Sequence, residues 1–183
     1  MFRTTVASSV AVTMMAGWFA FSGFAKGANA IESDQVSGLL NNAETQSFKL
    51  KEDADTLERY SRSESSWESH ADAINRIRED TNKMGELLSS LEQNRVGAAG
   101  WQQVAIDRVL PVAKELAANT TAAINHLNQY PQRLKTPNYQ EYLEAIADSA
   151  ANLASTIRDF VDYGKTKQRL DRLGAKLELP AGR

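Results

Sequence analysis

The sequence predicts an all-α protein, an up-down-up-down antiparallel four-helix bundle with an elongated fourth helix, preceded by an N-terminal signal peptide. Three observations predict it. From Ile31 to Leu110 there is no proline, β-branched residues are sparse, and apolar and polar residues nowhere alternate over the length of a strand. Apolar residues instead recur at steps of three and four through four long segments. The breaks between those segments are short, which favours helices packed against their chain neighbours.

The leader comes first. Arg3 supplies a positive start, Val6 to Ala25 is an apolar run, and Ala28-Asn29-Ala30 is the small-x-small pattern that a signal peptidase accepts. Residues 1–30 are therefore read as a signal peptide and 31–183 as a single exported domain, periplasmic or extracellular. An apolar run of about twenty residues is also long enough to approach a bilayer span, so an uncleaved anchor carrying a tethered sensor module is the rival reading. Gly17, Ser22 and Gly23 interrupt that run, which favours cleavage and leaves no stable membrane span.

The first helix is expected over about 34–60, with Ser33 as N-cap and Asp34 in the first turn, where a negative charge suits the helix dipole. Its inward stripe is Val36, Leu40, Ala43, Ser47, Leu50, Ala54 and Leu57. The polar stretch Ser61 to Ser65 breaks the repeat, and Ser65 or Ser66 caps a second helix over about 66–94. That helix has the cleanest repeat in the chain, namely Trp67, His70, Ile74, Ile77, Thr81, Met84, Leu88 and Leu91. Steps that alternate three and four keep one seam facing the neighbouring helices. The glycines at 97 and 100 punctuate its end.

A third helix, about 101–130, carries Ala105, Val109, Val112, Leu116, Thr120, Ala123 and Leu127 inward. Pro111 sits inside it and predicts a kink near Asp107 to Leu110, because proline removes one intrahelical hydrogen bond and clashes with the preceding turn. Thr136-Pro137 then reads as an N-cap followed by the favoured first-turn proline, opening a fourth helix over about 137–177. Its stripe is Tyr142, Ile146, Ser149, Leu153, Ile157, Phe160 and Gly164, continuing more weakly through Lys167, Leu170, Leu173 and Leu177. At a rise of about 1.5 Å per residue this helix overshoots the other three by about ten residues. Its last leucines are left to pack outside, dimerise or fray.

Composition removes whole classes of function. The 183-residue chain holds 21 Lys and Arg against 23 Asp and Glu, and losing residues 1–30 takes two cations and no acid, so the mature chain is more acidic still. Interspersed charge of that balance argues against nucleic acid, which needs a dense basic patch. No cysteine is present, so a disulfide scaffold, thiol redox chemistry, c-type haem attachment and cysteine-ligated metal are excluded. No pattern sets a serine, a histidine and an acid for nucleophilic attack, and no glycine-rich loop cradles phosphate. Asn119-Thr120-Thr121 matches a glycosylation acceptor but lies mid-helix. Glu52, Asp53 and Asp55 read as a solvated face.

One constellation remains. The chain has only two histidines, and reflecting the helices about their turns sets His70 level with His126 and His126 level with Tyr142. Tyr60, Trp67, Tyr130 and Tyr139 gather at the same end. Read functionally, His70 and His126, with Met84 as a further donor, are candidate ligands for haem or a divalent metal inside a bundle, with Tyr60, Trp67, Tyr130 and Tyr142 as ligand-end aromatics. Read structurally, His70 is a half-buried residue bonded to a neighbouring hydroxyl, Tyr142 being the expected partner. Neither histidine has Glu three positions earlier, so a bundle di-iron site is excluded.

In architecture the chain resembles the cytochrome b562 type of periplasmic four-helix bundle, which holds haem between a methionine near the start and a histidine near the end. The resemblance covers shape. The one methionine after residue 30 is Met84 in the second helix, and the fourth helix has no histidine, so that ligand pattern does not carry over. The sequence therefore favours a non-enzymatic exported bundle with a binding, structural or envelope-associated role and no required cofactor. Its partner is an unknown protein or a second copy of itself. The basic cluster Lys165 to Arg172 offers contact with an acidic partner or membrane headgroups.

Overall fold

The computed structural model describes residues 32–178. The expected signal peptide, its apolar run and its cleavage site lie outside them. Four α-helices and one 3-10 turn account for almost all of the described residues, and no strand occurs among them: α1 (Asp34–Ser61), α2 (Trp67–Gln93), the turn Arg95–Gly97, α3 (Gly100–Gln129) and α4 (Pro137–Lys176). Among the described residues no helix is long and apolar enough to cross a membrane.

The local signals account for most helix starts. Ser33 caps α1, its side chain accepting from the Val36 amide, and Ser66 caps α2 by accepting from the Ser69 amide. Pro137 occupies the first turn of α4 as its missing N–H allows, but the expected side-chain cap by Thr136 is absent. Its hydroxyl instead donates to the Arg133 carbonyl at 3.0 Å. The turn before the helix outcompetes the helix for that group. Helix α3 runs unbroken across Pro111, an exposed position.

Packing follows the three-four repeat. Every residue of the expected α1 stripe is buried, and each helix packs against the next in the chain while α1 also packs on α4. One core cluster runs through all four helices, from Leu40, Leu50 and Leu57 through Ile74, Ile77 and Leu91 to Leu116, Leu143, Ile146 and Leu153. Burying each such side chain stabilises the fold by roughly 1.5–3 kcal/mol before the entropy of ordering it is counted.

Three expectations for the stripes need correction. Trp67 opens α2 beyond the end of the core and is 43% exposed, so it is not an inward residue. Tyr142 and Phe160 are only half-buried, whereas Tyr139, Leu143 and Val161 are buried. The seam of α4 passes through 139, 143, 146, 150, 153 and 157, which leaves Tyr142 one position out of phase with it. Val112 and Thr81 are likewise half-buried, whereas Ile106 and Asp80, outside the expected stripes, are buried.

The interior is also more polar than the apolar stripe implied. Gln102, fully buried, lies at the start of α3 and makes four hydrogen bonds: Oε1 accepts from the amides of Ser33 (3.2 Å) and Ala99 (2.9 Å), and Nε2 donates to the Ser33 carbonyl and the Ser37 hydroxyl, both at 3.0 Å. It ties the start of α1 to the start of α3. Asp80 of α2 is buried beneath Lys49 of α1 (2.9 Å) and Lys83 (3.2 Å). Burial alone would raise its pKa, but these lysine hydrogen bonds outweigh burial and hold the carboxyl below its usual range. Nearby Asp53, read from sequence as solvated, is largely covered, with Arg76 at 3.5 Å. Burial and the adjacent Asp80 push its carboxyl up.

Candidate functional site

Both connections that join the helices in pairs, α1 to α2 and α3 to α4, line one cleft of about 580 Å³. Its walls are the segment Tyr60 to Trp67 on one side and Pro131 to Thr136 on the other, and His70 forms the floor. The local sequence explains the shape. Serines at 61, 63, 65 and 66 favour caps and turns over helix continuation, and Pro131 cannot continue α3. Two helix ends are thereby held apart, leaving a hydroxyl-rich hollow over the bundle.

The floor is a buried hydrogen-bonded pair. His70, 1% exposed, has Nδ1 3.1 Å from the Tyr139 hydroxyl. The partner is Tyr139, not the expected Tyr142, for the reason of phase given above. Burial lowers the His70 pKa below 6.5 against the opposing pull of the Tyr60 carbonyl, and burial pushes the Tyr139 hydroxyl well above its ordinary range. The pair at neutral pH is therefore a neutral imidazole and a protonated phenol. Neither is set to carry charge in the reverse sense without losing stability.

His126 reaches the same tyrosine from another direction. Its ring stacks on Tyr139 with centroids 5.0 Å apart and a 22° interplanar angle. Nε2 lies 3.2 Å from the Arg133 carbonyl and 3.2 Å from the Thr136 hydroxyl. A carbonyl can only accept, so Nε2 carries the proton. His126 thus pins the α3–α4 connection. The reflection that set the two histidines level is matched by their meeting on one ring, although through Tyr139 and not through a shared ligand.

The other aromatic candidates divide. Tyr60 packs 6.1 Å from the His70 ring and lines the cleft, as does half-exposed Trp67. Tyr130 lies 5.4 Å from His126 but turns outward beneath the Arg133 guanidinium, and Tyr142 meets His126 edge-on at 6.5 Å. Met84 is buried in the core fourteen residues along α2 from His70, about 21 Å away. That distance separates it from the histidine end. Both imidazoles already spend a nitrogen on protein groups, and among the described residues no three His, Asp or Glu side chains form a group able to hold a metal.

No family model, curated protein or solved structure matches this chain. The reading of the site rests on its geometry and chemistry.

The cleft's electrostatics are mixed. Lys135 and Glu64 join the two connections through a 3.0 Å ion pair. Helices α2 and α4 begin at this cleft and α1 and α3 end at it, so free amides of two helix N-termini and free carbonyls of two C-termini meet there. Arg133 and Lys135 add cations beside Glu64. Hydroxyls, cations and helix ends supply donors, and the rings of Tyr60 and Trp67 supply flat apolar contact. The sequence pointed to this end through its histidines and aromatics. It did not show the serine-rich connection as a wall, because a run of serines reads as a solvated loop until a second loop is seen facing it.

Proposed function

We propose that the protein is a non-enzymatic binding protein of an exported compartment, an up-down-up-down bundle whose loop-lined end holds a small ligand rich in hydrogen-bond acceptors. The observation that carries this reading is the cleft of about 580 Å³, which falls within the usual range of small-ligand pockets, about 300–1,000 Å³. It joins volume to convergent donors and two aromatic rings. Support for the antiparallel arrangement comes from helix pairs whose residue numbers converge toward the connection: Lys49 with Asp80, Asp53 with Arg76, and Tyr60 with His70. The leader pattern of residues 1–30 supports export.

A binding role suits the floor better than catalysis does. General acid–base work wants a group poised near the working pH and facing substrate, whereas His70 is held neutral and bonded to Tyr139. His70 and His126 meet opposite parts of Tyr139, one bonded to its hydroxyl and the other stacked on its ring, and so do not converge on a shared haem or metal.

Native mass spectrometry and an absorbance spectrum of protein purified from its own compartment, without chelator, test the proposal together. The expected result is a colourless protein carrying a stoichiometric small-molecule adduct that is lost in Trp67→Ala. Protein of bare polypeptide mass would overturn the ligand reading. A haem band that vanishes in His70→Ala would replace it with the cofactor reading.

A further inference from the structure

The far end of α4, about 46 Å along the helix from the cleft, carries a second feature that the ligand site does not use. Gln168 Nε2 donates to Glu32 Oε1 at 2.9 Å, so residue 168 is level with the start of α1. Helix α4 continues to Lys176, about 12 Å further. Over this projection Leu170, Leu173 and Leu177 are 63%, 45% and 63% exposed. Their steps of three and four put them on one helix face, in line with exposed Tyr163 one heptad before Leu170. Residues 165–178 hold five cations against Asp171 and Glu178, in a chain that is acidic overall. Lys165 pairs with Glu44 at 3.7 Å and Lys167 with Asp171 at 2.6 Å, which leaves Arg169, Arg172 and Lys176 to supply the positive charge.

We propose that the end of α4 is an interfacial helix that docks the protein onto an anionic lipid surface. A lone projecting helix with leucines along one face and cations beside them matches the interfacial pattern, in which apolar side chains enter the headgroup boundary while lysine and arginine reach the headgroups. Arg169 and Lys176 neighbour the leucine face in the helical repeat, so two copies packed through the leucines would bring like charges together. A partner helix would bury the leucines in a groove, and two turns extending past the other helices supply only one wall. A flat surface needs no second wall. The acidic remainder of the chain is repelled by the same lipids, which orients the docking end-on.

Co-sedimentation tests this with protein expressed from the full chain and purified as the cell processes it, mixed with phosphatidylglycerol-containing vesicles or with phosphatidylcholine alone. The expected result is binding to the anionic vesicles only, weakening as added salt shortens the screening length from about 30 to about 10 Å. Leu170→Ser/Leu173→Ser/Leu177→Ser abolishes binding while the helical signal and unfolding midpoint stay put. Arg169→Gln/Lys176→Gln lowers it about 25-fold, at about fivefold per cation. Equal binding to both vesicle types, no binding, or binding indifferent to the leucine changes would overturn the proposal. So would a dimer in light scattering that the leucine variant abolishes, since that assigns the stripe to a second copy. Ligand retention in the cleft is unaffected by these variants, so the two proposals fail separately.

Discussion

Replacing Gln102 with leucine keeps the volume of the side chain and deletes four hydrogen bonds at once. The Ala99 amide is buried with it, and an orphaned buried donor costs about 1–3 kcal/mol. The Ser33 amide, Ser33 carbonyl and Ser37 hydroxyl are partly reached by water, so their loss costs nearer 0.5–1 kcal/mol each. Against a sum of about 2.5–6 kcal/mol, the leucine gains about 1 kcal/mol of apolar burial. The net expectation is a loss of about 1.5–5 kcal/mol. Urea unfolding measures it as a lower midpoint with an unchanged slope. Hydrogen exchange should show that the first turn of α1 opens before the rest of the helix, because Gln102 is what fastens that turn to α3. A loss under about 0.5 kcal/mol, or uniform exchange along α1, would refute the idea that this side chain joins the two helix starts.

Tyr139→Phe leaves the buried His70 nitrogen unpaired and should cost about 1–2 kcal/mol in the same assay. Because the folded-state pKa of His70 lies below its unfolded value of about 6.5, the unfolded chain binds the extra proton as pH falls. The stability His70 contributes is therefore complete above about pH 6.5 and declines on acidification below it, and the unfolding midpoint of His70→Gln should show a shallower acid-side decline. Gly164→Ala puts a Cβ 2.7 Å from the Trp101 ring, so overpacking should cost about 1–3 kcal/mol and shift the Trp101 fluorescence. An unchanged spectrum would show that the ring is not held against α4. Ile77→Ala, in the core with no exposed surface, should lose about 2–4 kcal/mol, and a surface-like loss would break the register of α2.

The helices were legible because their signals are local and redundant. In α1 the Ser33 cap, the acidic first turn and seven inward residues agree with one another, and each reads correctly in isolation. The seam of α4 was harder, since Tyr139, Tyr142 and Leu143 all fit a three-four repeat. Only contact with α2 and α3 decides which phase faces inward. Gln102 and Asp80 were missed for a different reason. A glutamine or aspartate among apolar neighbours reads as a surface residue, and its burial becomes favourable only when partners from another helix satisfy it, as Ser33 and Lys49 do. The Gln102 signal existed in weak form, since it sits three residues after Ala99 at the position where glutamine reaches back to the N-cap amide. The histidine end was found by counting residues about two turns, which fixes level but not direction. That is why His70 and His126 are found at one level, both against a tyrosine, while that tyrosine is Tyr139 and not Tyr142, three residues along the helix.

Amide chemical shifts of isotope-labelled protein, titrated in turn with inorganic phosphate, small dicarboxylates, amino acids and monosaccharides, test the ligand end most directly. The account predicts that at least one of these acceptor-rich solutes moves the resonances of Ser61 to His70 together with those of Gln132 to Thr136, saturating at one equivalent, and leaves α4 beyond Gly164 unmoved. Shifts scattered over the surface, or none in either connection, would contradict it.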